Sequence, residues 1–103
     1  MDAVQRFEDK ELRGRVLKAL NFEYPKSLSP KMLEYALQSA RYKCSKSNLM
    51  AHLAYLQEKE YIKIEYVGVE VLDLGRNMIT LTAKGKDLVE GNIENDPGVI
   101  LHG

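Results

Sequence analysis

Residues 45–66, SKSNLMAHLAYLQEKEYIKIEY, change their period in the middle. Up to Glu60 the apolar residues Leu49, Leu53 and Leu56 recur at spacings of four and three, which is one stripe of an α-helix. From Tyr61 the order becomes alternation: Ile62, Ile64 and Tyr66 against Lys63 and Glu65, the pattern of a half-buried strand. Ser45 carries a short hydroxyl side chain that can accept hydrogen bonds from the free amides of a first helical turn. The helix is therefore expected from a Ser45 cap to about Glu60. A helix that runs straight into a strand is the joint on which the rest of the chain has to be arranged.

Upstream, Tyr42-Lys43-Cys44 is a short break, and Ser29-Pro30 reads as a cap and first residue of another helix, reaching about Arg41. Leu33, Ala36, Leu37 and Ala40 share one of its faces. Two helices joined by so short a turn form a helix-turn-helix frame. Before them, Leu12, Val16, Leu17 and Leu20 mark the buried stripe of a first helix over about residues 9–20, capped by Asp9 and stopped at Asn21. Residues 21–28 connect it, with Pro25 holding Tyr24 extended. Downstream, Gly68 breaks the alternation and suggests a bulge before Val69 and Val71. Residues 73–77 have turn chemistry, and Met78-Ile79-Thr80-Leu81 returns as a second strand. Thr82 caps a last short helix that Gly91 ends. The order predicts an α+β, mostly helical domain: a winged helix-turn-helix with a three-helix core, a β-hairpin wing and a C-terminal helix. The domain is expected over residues 1–91, with residues 92–103 as a C-terminal tail.

The chain has 103 residues, enough for one domain, and its 15 Lys and Arg balance 15 Asp and Glu. A net charge of zero weighs against coating nucleic acid through bulk charge but leaves room for a local basic patch. Cys44 stands alone, so no internal disulfide and no Cys-rich zinc site is expected. The opening MDAVQRFEDKEL has no apolar run of a signal peptide, and no stretch is long enough to cross a bilayer. The expectation is a cytoplasmic protein with no membrane partner.

Two stretches are more particular than topology. LMAHLAYLQEKEYIKIE, residues 49–65, looks like the third helix and first wing strand of winged-helix regulators. ITLTAKGKDLVEGNIENDPGV, residues 79–99, has the strand running into L-T-x-x-G that is common among them. Together with Tyr24-Pro25, the ending L-T-x-x-G-x-D-L-V-E-G followed by D-P-G-V resembles small winged-helix proteins of Mu-like prophages, over most of residues 10–99. That group has no settled molecular function. The resemblance implies the fold and carries no functional residue with it.

On a wheel of about 100° per residue, inward Leu49, Leu53 and Leu56 leave Ser47, Ala51, Ala54 and Glu58 outward, with Asn48 and Tyr55 on one flank. The early residues of such a helix meet base edges in the major groove. Asn48 can pair with adenine, Ser47 can hydrogen-bond, and Ala51 can meet a thymine methyl. Arg41, Lys43 and Lys46 cluster where phosphates would lie, and Arg76 is the basic residue of the wing. Arg41, Lys43, Lys46, Ser47, Asn48, Ala51, Tyr55 and Arg76 are thus the candidate DNA contacts. Against them stand Glu58 and Glu60, which repel phosphate, and an apolar wing of Val69, Val71, Leu72 and Leu74.

Cys44 precedes a helix start that can lower its pKa, though a small turn residue suffices to explain it. His52 reads as a hydrogen-bonded residue at the core edge. No nucleophile, metal or phosphate-cradling constellation stands out, so no catalytic residue, metal, cofactor or small-molecule ligand is expected. The leading function is non-enzymatic binding of double-stranded DNA, as in a transcription regulator. The competing one is a winged-helix protein-interaction module. Three apolar features lack a home: Val4 and Phe7, the wing residues, and Val99-Ile100-Leu101 of the tail. They suggest a homodimer with the tail as its clearest contact.

Overall fold

The computed structural model describes residues 3–68 and 76–101. The helices are α1 (Ala3–Glu23), α2 (Pro30–Ser39), α3 (Lys46–Glu58) and α4 (Ala83–Glu90), and the strands are β1 (Ile62–Val67) and β2 (Arg76–Leu81). This is the winged helix-turn-helix arrangement: three helices around one core, then an antiparallel hairpin, then a short helix.

The caps read from the sequence for α2, α3 and α4 form as expected. The Ser29 hydroxyl accepts from the Met32 amide at 3.2 Å, Ser45 from Asn48 at 3.1 Å, and Thr82 from Gly85 at 3.0 Å. Gly91 closes α4 in the left-handed region at φ 77°. The ends of α2 and α3 follow the same device without glycine. Arg41 and Glu60 take φ 65° and 68°. The next amides, of Tyr42 and Tyr61, then donate back to the Leu37 and Leu56 carbonyls at 2.8 and 3.0 Å.

The core is the sum of the helical stripes. Leu12, Val16, Leu17 and Leu20 of α1 meet Leu33 and Leu37 of α2, and Leu49, Leu53 and Leu56 of α3. Tyr61, Ile62, Ile79 and Leu81 close it from the hairpin, and Leu88 from α4. The hairpin pairs Ile62 with Leu81 through to Val67 with Arg76. On the other edge of β2, Leu28 and Ile79 exchange both backbone hydrogen bonds at 2.8 Å, and the Ser27 and Thr80 hydroxyls meet at 2.6 Å.

Several expectations need correcting. The first helix begins at Ala3, six residues before the predicted cap. Asp9 lies inside it and engages Gln5 and His52 side chains instead of free amides. The early turns leave no sequence signal because Val4 and Phe7 point to solvent and set up no buried stripe. Ala40, read as part of the inner face of α2, is an exposed cap. Arg76 and Asn77 belong to β2, since the ladder holds them opposite Val67 and Tyr66. The ladder runs unbroken through Val67; the bulge expected near Gly68 falls where the described residues stop, and Val69, Val71, Leu72 and Leu74 lie outside them.

The tail gives the largest departure. Residues 92–101 run back across α1 and α3 of the same chain. Val99 is only 1% exposed, inside the core, and Leu101 packs against it. The Ile100 amide donates to the Lys10 carbonyl at 3.0 Å, which fixes the tail along α1. Gly14 permits that crossing, because a Cβ there would collide with the Ile100 carbonyl. The tail's apolar residues therefore have a home within their own chain, which removes them as the clearest dimer contact.

Candidate nucleic-acid interface

The α2–turn–α3 unit sets the candidate site. Burial of Leu49, Leu53 and Leu56 turns Lys46, Ser47, Asn48, Ala51, Ala54 and Glu58 outward, all exposed. Arg41 and Lys43 stand exposed in the turn before α3. The Ser45 hydroxyl that caps α3 also lies 3.3 Å from the Ser47 hydroxyl, so the polar first turn is ordered from its start.

The structure sorts the candidates onto two sides of α3. On the wing side a groove of about 640 Å³ brings Lys46 together with Arg76 at the base of β2. The exposed side chains of Met32 and Met50 also line it, with Lys31 from the first turn of α2. Sequence reasoning did not single out Lys31 and Met50. Lys31 sits one residue after a proline at a helix start, a position with no pattern of its own, and only the fold carries it to Lys46. On the other side, Arg41, Lys43 and Asn48 border a second cleft against α1. Ser47 and Ala51 occupy the exposed face of α3 between these sides.

Tyr55 has a different setting. Its ring lies under the Arg13 guanidinium, 3.8 Å from charge to centroid, and its hydroxyl faces Asp96 at a long 3.5 Å. It is half-buried beneath the tail. Asp96 itself is buried and accepts from the Tyr61 hydroxyl at 2.6 Å and the Gly98 amide at 2.7 Å. Burial pushes the Asp96 carboxyl up. The Tyr61 hydroxyl, the Gly98 amide, Lys59 and the Tyr55 hydroxyl outweigh it, so its pKa falls below the usual value. Burial, with Asp96 beside it, holds the Tyr61 phenol well above its ordinary range.

Arg13 extends this network. It donates to the Gly98 carbonyl at 3.2 Å and to His52 Nδ1 at 3.3 Å, which leaves His52 Nε2 to carry the proton, 3.6 Å from Asp9. His52 is buried as the core-edge reading expected. Burial, then the Arg13 charge, lowers its pKa; Asp9 acts the other way and does not prevail. Cys44 fits the reading of a small turn residue and not that of an activated thiol: burial first, then Glu34, raises its pKa. Among the described residues no group of three His, Cys, Asp or Glu is placed to hold a metal ion, and no helix is long and apolar enough to cross a membrane.

No family model and no curated protein sequence matches the chain. Among solved structures it is similar to a PadR-like transcription factor from Bacteroides fragilis, with TM-score 0.67 and 18% identity over 79% of this chain and 75% of that one. It is also similar to PadR from Bacillus subtilis, solved in complex with operator DNA, with TM-score 0.63 and 21% identity over 84% of this chain. The match spans 49% of that regulator's length. A third is the circadian clock associated protein Pex from Anabaena, with TM-score 0.59 and 16% identity over 88% of both chains. At these identities the likeness is one of fold, and the fold is the winged helix.

Proposed function

We propose that this chain is a non-enzymatic, DNA-binding regulator of transcription that reads double-stranded DNA with α3. The observation that carries the reading is the polar first turn of α3 with cations on both its sides: Lys31, Lys46 and Arg76 toward the wing, Arg41 and Lys43 toward α1. Phosphates on two strands need charge on either side of a helix lying in the major groove. In this reading Asn48, Ser47 and Ala51 face base edges, while the Tyr55 ring serves to hold α3 under the tail. The fold's likeness to a PadR solved on operator DNA supports it. We place the protein in the cytoplasm as a homodimer, and the prophage resemblance supports a phage-like origin.

The decisive experiment is binding across a salt series. Lys43→Ala with Lys46→Ala should weaken binding to every sequence and reduce the salt slope by about 2, one unit for each lysine that no longer neutralises a phosphate. Unchanged affinity and slope would remove α3 as the DNA-reading helix. One observation favours the competing reading of a protein-interaction module: Met32 and Tyr35 of α2 lie exposed side by side at one small groove. Wild-type protein that binds no DNA even at low salt would favour it.

A further inference from the structure

We propose that the cleft between the first half of α1 and the α2–α3 turn binds a small zwitterion of dipeptide size. The cleft holds about 450 Å³, within the range of about 300–1,000 Å³ usual for small-molecule sites. Its two walls carry opposite charge. Glu8, Asp9 and Glu11 line the α1 side, and Arg41 and Lys43 the turn side, with His52 on the buried side of α3 between them.

The walls do not satisfy each other. Among the described residues no ion pair crosses the cleft; the acidic wall's one charged-type partner is His52, 3.6 Å from Asp9. Each wall is fixed by its own element. The acids are set by the helical spacing of α1, and Arg41 is held at φ 65° by the hydrogen bonds that end α2. The ligand class follows from the signs. A simple anion drawn to Arg41 and Lys43 meets Glu8 and Glu11, and a simple cation meets the reverse. A neutral molecule gains hydrogen bonds at most, with no net Coulomb attraction from either wall. Only a species with both charges, held apart by a short spacer, is attracted on both sides. In a free α-amino acid both charged groups sit on one carbon, whereas a dipeptide sets them further apart, so that each can meet the wall of opposite charge.

Arg41, Lys43 and Asn48 also belong to the proposed DNA face, so occupation of the cleft would compete with phosphate. That consequence rests on the DNA reading, but binding of the zwitterion does not. The test uses the full chain without DNA. Amide chemical shifts are followed while L-alanyl-L-alanine is added, with acetate and methylammonium, which each carry one charge, as separate probes. The expected result is saturating shifts on both walls with the dipeptide alone. Affinity should fall roughly tenfold or more in Glu8→Gln with Glu11→Gln, and equally in Arg41→Gln with Lys43→Gln, the loss expected from one charge-assisted hydrogen bond. All four side chains lie at the surface or its edge, and far-ultraviolet circular dichroism checks that the variants keep their helices. Shifts that never saturate, that acetate or methylammonium reproduces, or that survive either double substitution would overturn the proposal.

Discussion

Asp96 illustrates how much one side chain far along the chain can hold. Three donors converge on its carboxylate, and two of them come from the end of α3 and the residues just after it. Asp96→Asn should cost about 1–3 kcal/mol at neutral pH, the range for a buried polar group that loses a charged partner. The pH dependence has a fixed sign. A carboxyl whose folded pKa is depressed adds stability above its ordinary pKa near about 4, and loses it as pH falls through the folded value. The gap between wild type and variant, measured by urea unfolding across pH, should therefore narrow in acid. A gap of constant size would mean that charge is not what the site uses. Glu60 offers the opposite case. It adopts a left-handed conformation that costs most side chains roughly 1–2 kcal/mol. Glu60→Gly should leave the melting temperature unchanged or raise it, with a gain of up to about 1 kcal/mol, where most glycine substitutions lower it.

At the scale of elements, α3 was readable because its inner and outer faces differ chemically. Leu49, Leu53 and Leu56 are fully buried, as their spacing implied, and Leu53→Ala should cost about 2–5 kcal/mol by denaturant titration. A stability equal to wild type would invert the wheel and with it the proposed DNA face. The caps Ser29, Ser45, Thr82 and Gly91 were equally legible, because each acts on amides or carbonyls within a few residues. The first turns of α1 were not, since exposed Val4 and Phe7 leave no inward pattern there. The candidate site could be placed in part. Arg41, Lys43, Ser47 and Asn48 follow from position on the helix-turn-helix alone. Lys31 joins Lys46 and Arg76 only through packing between α2, α3 and the wing, and Tyr55 takes its partners from Arg13 and Asp96. Pairings made across forty residues of sequence leave no local trace.

For the whole molecule, the question of self-association narrows once the tail is accounted for. Val4 and Phe7 remain 67% and 52% exposed on the first turns of α1, close together at helical spacing. A second copy of the chain that packs there would bury both pairs in an isologous interface. Sedimentation should show a dimer at micromolar concentration that Val4→Ser with Phe7→Ser converts to a monomer. A wild-type monomer under those conditions would remove the dimer from the proposal, and a dimer indifferent to the two substitutions would move its interface elsewhere.

The crossing of residues 92–101 over α1 also sets an order of events in biosynthesis. Arg13 and Gly98 are bonded across 85 positions of sequence, and Val99 fills the core beside helices made long before it. As the chain leaves the ribosome, α1 emerges well before residues 92–101, which follow only after both strands and α4 have been translated. Chain growth of about 5–20 residues per second makes that interval several seconds. During it, the groove that Val99 will occupy stays open to water and to other nascent chains. The domain closes on itself only when this strap has been made, so its completion follows the synthesis of residues 92–101 and not that of the helices they cover.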